Sequence, residues 1–151
     1  MEMRKAGKSE IHEAAMLLRE YWKSRGMNYS QKWAENYIKI GHKTEIKKDM
    51  FFVAKKGGKV IGTISIVVYE GGVAELRDFV VDPEFRGKGI GKQVFKNVLC
   101  IVRKQKTRKV YFYTFPSYTK FYRKFGFKKE GVLKSHYAKG EDLVIMSKFL
   151  E

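Results

Sequence analysis

The sequence predicts an α+β fold, built on a mixed, mostly antiparallel sheet with flanking helices. In some segments apolar residues recur every three or four positions, which is typical of amphipathic helices. In others, β-branched or aromatic residues form continuous runs, which is typical of strands. Glycine pairs and two prolines separate these segments. The resulting element order is β-α-α-β-β-β-α-β-α-β-β. A length of 151 residues fits one domain over residues 1–151, and 44% hydrophobic content excludes a disordered chain.

The N-terminal region predicts one short strand and two helices. Met1 to Ala6 reads as the strand, Ser9 offers a cap for the first helix, and Ser30 a cap for the second. Apolar residues follow each cap at helical spacing: Ile11, Ala14, Ala15, Leu18 and Trp22 in the first helix, and Trp33, Tyr37 and Ile40 in the second.

Three strands follow as an antiparallel meander. They are Phe51 to Lys55, Val60 to Tyr69 and Val73 to Val81, all rich in β-branched or aromatic residues. Gly57-Gly58 and Gly71-Gly72 separate them, and glycine pairs can adopt the positive φ angles that tight hairpin turns require.

The C-terminal half predicts a helix, a strand, a short helix and a final hairpin. The ranges are Ile90 to about Arg103 for the helix, Val110 to Phe115 for the strand, Pro116 to Phe125 for the short helix stopped by Gly126, and Phe127 to Tyr137 with Asp142 to Phe149 for a hairpin turned at Lys139-Gly140.

A glycine-rich loop joins the third meander strand to the long helix. A strand, closely spaced glycines and a helix N-terminus together present unpaired backbone amides that bind phosphate. The loop is not a Walker A motif, because Arg86 occupies the first glycine position and Gln93 replaces the magnesium-binding hydroxyl. It is not a dinucleotide fingerprint either, because Lys92 occupies the third glycine position.

Two motifs carry a resemblance to a known family. Arg86-Gly87-Lys88-Gly89-Ile90-Gly91 resembles the acetyl-CoA loop of the GNAT superfamily of N-acetyltransferases. Downstream, the segment Lys120 to Phe127 is similar to the family's aromatic-Tyr-x-x-x-Gly-Phe motif. The resemblance implies that acetyl-CoA is the co-substrate. The residues it assigns to cofactor binding are Phe79, Val80 and Val81 for pantetheine, and Arg86, Gly87, Lys88, Gly89, Ile90, Gly91 and Lys92 for the phosphates.

The resemblance also implies the chemistry. The acetyl group would move to a primary amine by direct attack, with the acceptor left open between a protein N-terminus, a lysine and a small amine. Tyr122 is the predicted proton donor for the departing thiolate, since a phenol and an alkyl thiol have similar basicity. Glu75 is the predicted base, acting through water, and Asp78 competes for that role. Strand alternation would place these two carboxylates on opposite faces.

The charge distribution agrees with an anionic ligand. The net charge is +16, and residues 85–129 hold 14 Lys and Arg without one Asp or Glu. A basic nucleic-acid-binding module, suggested by the aromatic and basic run 109–113, and a non-catalytic acyl-CoA sensor are the alternative functions. Nucleic acid is not expected as the primary partner.

Cysteine and histidine usage bears on location and metals. Cys100 is the one cysteine, and no apolar run reaches the length of a membrane span, so we expect a cytoplasmic protein with no membrane partner. His12, His42 and His136 are too far apart in sequence to predict a metal site. An edge strand in the last hairpin could pair with the same strand of a second subunit, so a homodimer is one expected alternative to a monomer.

Overall fold

The computed structural model describes Arg4, residues 6–41 and residues 45–150. This part of the chain forms two compact units, Met1–Ile46 and Lys47–Glu151. The predicted strand from Met1 to Ala6 falls mostly on residues outside this description, and neither Arg4 nor Ala6 lies in a strand. His42 also lies outside it.

The N-terminal unit contains a pair of helices. α1 spans Ile11–Ser24 and α2 spans Gln31–Ile40. Ser30 caps α2 as predicted, because its hydroxyl accepts a hydrogen bond from the Trp33 amide at 3.1 Å. The predicted cap at Ser9 is wrong, since Ser9 lies inside a 3₁₀ turn that precedes α1. The Glu10 carboxylate satisfies the free amide of that turn instead, accepting from the Gly7 N–H at 2.7 Å.

The second unit is built on a six-stranded mixed sheet, which confirms the predicted α+β class. The strand order is β1-β2-β3-β4-β6-β5, and the described pairs are antiparallel except for β3 with β4. The strands are β1 Ile46–Lys56, β2 Lys59–Tyr69, β3 Val73–Val81, β4 Lys109–Thr114, β5 Lys128–Ala138 and β6 Glu141–Phe149. β1 begins five residues before its predicted start, because Lys47, Lys48 and Asp49 are polar and exposed and interrupt the apolar pattern of a strand.

Two helices lie between these strands along the chain. α3 spans Ile90–Lys104, close to its predicted range. α4 spans Thr119–Arg123 and follows a 3₁₀ turn over Pro116–Tyr118, so it is shorter than the predicted helix from Pro116 to Phe125. Phe95 of α3 is 1% exposed, and its ring lies within about 6 Å of rings from α4 and from neighbouring strands. This aromatic centre fixes α3 and α4 on the same sheet. None of the helices in the described residues is long and apolar enough to cross a membrane.

Candidate functional site

The parallel strands β3 and β4 separate after three residues. The paired positions are Val73 with Lys109, Ala74 with Val110 and Glu75 with Tyr111. Beyond Glu75, β3 continues to Val81 along β2, while β4 continues to Thr114 along β6. The described chain therefore has a split in its sheet, open beyond the Glu75–Tyr111 pair.

A β-bulge interrupts β3 beside this split. Thr63 pairs with Val80 and Ser65 with Arg77, so one residue of β2 opposes two residues of β3. Asp78 is one of the two, and its φ of 53° is a left-handed value that few non-glycine residues adopt. The Thr63 hydroxyl donates to the Asp78 carbonyl at 2.8 Å, which holds the bulge in place.

The bulge overturns the predicted side-chain alternation of β3. The sequence predicts one face for Glu75, Arg77, Phe79 and Val81. In the structure Phe79 instead packs against the hydrophobic core to which Leu76 belongs. The prediction is wrong because the extra residue shifts the alternation by one position, which moves every later side chain to the other face.

The two candidate bases consequently lie on one side of the sheet. Ser65 is the cross-strand partner of Arg77 and so shares its face. The Ser65 hydroxyl donates to the Asp78 carboxylate at 2.8 Å, and Arg77 donates to Glu75 at 2.6 Å. The expectation that only one of Glu75 and Asp78 faces this side is therefore wrong.

Glu75 is a buried carboxylate held by three donors. Its Oε2 accepts hydrogen bonds from Tyr69 Oη at 2.6 Å, Arg77 Nη2 at 2.6 Å and Tyr111 Oη at 3.1 Å. Burial alone would raise the pKa of Glu75, but the hydrogen bonds and the Arg77 charge outweigh it and lower the pKa below its ordinary value. Burial raises the pKa of both tyrosines, so they remain neutral donors.

Local sequence pattern does not predict that Tyr69 and Tyr111 bind Glu75. Tyr69 and Tyr111 lie on different strands, and only the register of β2 and β4 beside β3 brings both hydroxyls to one oxygen. The usable signal was Arg77, two residues from Glu75 and therefore on its face of a regular strand.

The glycine-rich loop connects the end of β3 to the start of α3. Gly87 has φ 74° and Gly89, which caps α3, has φ 78°, so both occupy the left-handed region that glycine adopts without strain. Among the described residues, no acceptor pairs with any backbone amide of residues 87–92. The loop thus presents consecutive free N–H groups at the N-terminus of a 15-residue helix.

Basic side chains near the loop stabilise its shape. Arg86 Nε donates to the Val81 carbonyl at 2.9 Å, and Lys88 Nζ donates to the Glu84 carbonyl at 3.0 Å. Lys92, in the first turn of α3, is exposed. The loop region is therefore positively charged as well as rich in free amide donors.

Gly91 has a different role from the other two loop glycines. It lies in α3 with no positive φ, and a Cβ there would come within 3.7 Å of Phe79 and Val81 and 3.8 Å of Phe121. The helix N-terminus is therefore packed closely on the end of β3. The side chains of two predicted pantetheine-binding residues, Phe79 and Val81, contact α3, while Val80 is 53% exposed.

Tyr122 of α4 lies beside the end of β4. Its ring packs on Phe112 at a centroid distance of 4.3 Å, and the residue is 9% exposed. Burial raises the pKa of Tyr122, while a hydrogen bond with Thr114, the last residue of β4, opposes the increase. The phenol is therefore protonated at neutral pH.

No group of three His, Cys, Asp or Glu residues in the described ranges could hold a metal ion. His12 instead pairs with Glu35 in the N-terminal unit, with 2.7 Å between Nδ1 and Oε1.

Residues 14–127 match the model of the acetyltransferase (GNAT) family. An uncharacterized N-acetyltransferase of Methanocaldococcus jannaschii is 30% identical over 113 residues, covering 69% of this chain and 49% of that protein. A second, from Chlorobaculum tepidum, is 34% identical over 79 residues, covering 52% of this chain and 50% of that protein. The chain spans about half the length of these curated relatives.

Solved structures share the fold at lower identity. An acetyltransferase from Bacillus cereus superposes with a TM-score of 0.65 at 21% identity, covering 99% of this chain and 98% of that one. A GNAT family acetyltransferase from Elizabethkingia anophelis, solved with acetyl-CoA bound, has a TM-score of 0.63 at 19% identity, covering 80% and 84% of the two chains.

Proposed function

Because the chain belongs to the acetyltransferase (GNAT) family, we propose that it transfers an acetyl group from acetyl-CoA to the nitrogen of a primary amine. The observation that carries this proposal is the row of free amides at residues 87–92, next to a sheet that splits beyond Glu75. The family match bridges both compact units, which supports residues 1–151 acting as one acetyltransferase domain.

The loop residues fit the phosphates of acetyl-CoA. The amides of Gly87 to Lys92 would donate to the pyrophosphate oxygens, and the α3 dipole and Lys92 would add favourable charge. Arg86 and Lys88 would contribute charge while holding the loop through their carbonyl contacts. We assign the pantetheine arm to the open edge of Phe79, Val80 and Val81, where backbone groups lack a partner on β4.

Two steps of the chemistry need groups from this chain. A new bond forms between the amine nitrogen and the acetyl carbon while the carbon–sulfur bond breaks, leaving a thiolate that needs a proton. Tyr122 supplies it, since its buried phenol is protonated at neutral pH. An amide at the open edge of β3 donates to the thioester oxygen, where negative charge develops.

The proton leaving the amine needs an acceptor. Glu75 is ionised at neutral pH and takes that proton through water, but its lowered pKa makes it a weak base. Asp78 remains the competing base, because its carboxylate lies on the same side and accepts a hydrogen bond from Ser65, whereas Glu75 accepts from three donors. The acceptor class stays open between protein N-termini, lysines and small amines.

The test is thiol release from acetyl-CoA across peptide N-termini, lysine peptides, polyamines and aminoglycosides, with calorimetric binding of acetyl-CoA measured separately. Turnover with at least one amine supports the proposal. Tyr122→Phe should then lower kcat about 10²-fold or more at unchanged acetyl-CoA affinity. Binding without turnover on any amine would indicate a non-catalytic acyl-CoA sensor, and absence of binding would overturn the proposal.

A further inference from the structure

Three lysines surround one phenylalanine ring at the start of the glycine-rich loop. Phe85 ends the 3₁₀ turn Pro83–Phe85, which directly precedes the loop. The ammonium nitrogens of Lys56, Lys59 and Lys88 lie 5.9, 5.5 and 5.5 Å from the centroid of its ring. A ring has two faces, so at least two of these cations share one side of it. Phe85 and the three lysines are called the Phe85 cluster below.

The cluster brings a second part of the chain to the loop. Lys56 is the last residue of β1 and Lys59 is the first residue of β2, so both flank the turn at Gly57-Gly58. Lys88 lies in the loop itself, and its amide belongs to the row of free N–H groups described above. Only the length of one lysine side chain therefore separates the amide row from the cluster, and one ligand can reach both.

Lys59 of the cluster is committed to two carboxylates. Its Nζ lies 3.0 Å from Asp82 Oδ2 and 3.2 Å from Glu84 Oε2. The hydrogen bonds to both carboxylates raise the pKa of Lys59, so this ammonium stays charged. The hydrogen bond from Lys59 lowers the pKa of Asp82, and the nearby charge of Arg86 lowers it further. Lys59 and Arg86 together therefore balance the two negative charges.

The charges of Lys56 and Lys88 have no carboxylate partner. Within the described ranges, Lys56 Nζ makes no hydrogen bond or ion pair and interacts with the Phe85 ring. Lys88 Nζ donates to the Glu84 carbonyl at 3.0 Å, which uses one of its three N–H groups and adds no negative charge. Two like charges held at one ring repel each other, and an anion between them would be attracted by both. A phosphate monoester, with a charge of about −1.5 to −2 at pH 7, matches this pair.

We propose that Lys56 and Lys88 bind a phosphate monoester, namely the 3′-phosphate on the ribose of acetyl-CoA. The inference rests on the proposed function, in which the pyrophosphate of the same molecule accepts hydrogen bonds from the loop amides. The 3′-phosphate and the pyrophosphate are attached to one ribose, so a ligand on the amide row carries a dianion to the adjacent cluster. Phe85 is a positioning residue, because its ring attracts both ammonium groups and holds them beside the loop.

A double-mutant cycle between the 3′-phosphate and each lysine tests the contact. The affinities of the full chain for coenzyme A and for 3′-dephospho-coenzyme A are measured by calorimetry at one ionic strength, since salt screens exposed charges. The ratio of the two dissociation constants isolates the 3′-phosphate, because the pyrophosphate and the pantetheine arm are common to both ligands. A hydrogen bond between charged groups at an exposed site is worth about a tenfold change in affinity. With two such lysines, wild type should bind coenzyme A about 100-fold more tightly than 3′-dephospho-coenzyme A.

Two variants of equal charge locate the contact. Lys56→Gln should lower the ratio about tenfold and leave the affinity for 3′-dephospho-coenzyme A within about twofold of wild type. Lys55→Gln is the matched control, because Lys55 is the exposed neighbouring lysine in β1 and takes no part in the Phe85 cluster. This control should keep the wild-type ratio. Lys88→Gln should lower the ratio by a similar factor, and thermal unfolding of each variant checks that it is folded.

Two results would overturn this assignment while leaving the proposed function intact. One is equal affinity of wild type for the two ligands, which would mean that the 3′-phosphate meets no partner. The other is an equal fall of the ratio in Lys55→Gln and Lys56→Gln, which would mean that only the overall charge matters. Absence of binding of both ligands to wild type is a different outcome, because it would overturn the proposed function and this inference with it.

Discussion

Replacing Gly89 by alanine tests whether the left-handed backbone of the loop matters. Gly89 has φ 78° and caps α3, and a Cβ built on it meets nothing within 4 Å. The substitution therefore introduces no clash. Its only structural cost is the energy of holding an L-residue in the left-handed region, about 1–2 kcal/mol.

The loop can respond to that cost in two ways. If it keeps its shape, the whole cost appears as lower stability, which for a chain of this size is a fall in Tm of about 2–8 °C. If it relaxes in the free protein, binding must restore it, and acetyl-CoA affinity falls about 5- to 30-fold. The two effects together should sum to about 1–2 kcal/mol.

Calorimetric titration with acetyl-CoA and a thermal melt of the same sample measure both terms. Gly91→Ala is the matched control. Its backbone has no positive φ, and its added Cβ makes ordinary contacts of 3.7 Å, so both quantities should stay near wild type. The reasoning fails if Gly89→Ala matches wild type in both measurements, or if Gly91→Ala is the more damaging of the two.

Three further predictions concern the frame of the site. Phe95→Ala removes the ring at the centre of the aromatic core and should lower the free energy of unfolding by about 3–5 kcal/mol in a denaturant titration. Glu75 has a lowered pKa, so the stability it contributes is present above its ordinary pKa near 4.5 and is lost as pH falls through the folded value. The free energy of unfolding of Glu75→Gln should therefore fall less than that of wild type when the pH is lowered from 7 to below the pKa of Glu75. Ser30→Ala removes the hydroxyl that accepts from the Trp33 amide and should lower the free energy of unfolding by about 1 kcal/mol, measured by urea denaturation. The affinity for acetyl-CoA should stay unchanged.

Local sequence signals predicted most of the second unit. β3 has the predicted bounds because Gly71-Gly72 and Pro83 mark them in the sequence, and Gly140 marks the turn that joins β5 to β6. The start of β1 was missed, since Lys47 and Lys48 are exposed and their strand conformation depends on pairing with a neighbour rather than on their own pattern. The predicted Ser9 cap was wrong because a 3₁₀ turn over Lys8–Glu10 precedes α1, so Ser9 already lies inside a helical turn.

The candidate site also has some features that local sequence predicts and others that depend on strand pairing. The loop glycines were predictable, because their spacing and their place between a strand and a helix are local properties. The surroundings of Glu75 were not, since Tyr69 and Tyr111 reach it only through the pairing of three strands. The bulge at Asp78 was also hidden, because a strand of regular composition gives no sign that one residue adopts a left-handed conformation.

The bulge at Asp78 makes the length of its strand as important as its composition. Deleting one residue there would restore a regular alternation. The apolar side chains that follow the bulge and now pack against the core would then face solvent, and the neighbouring polar side chains would face the core. Homologous chains should therefore accept many exchanges along this stretch yet rarely gain or lose a position within it. Engineered insertions and deletions are better placed at the hairpin turns, where a change in the number of loop residues need not alter which side chains face the core.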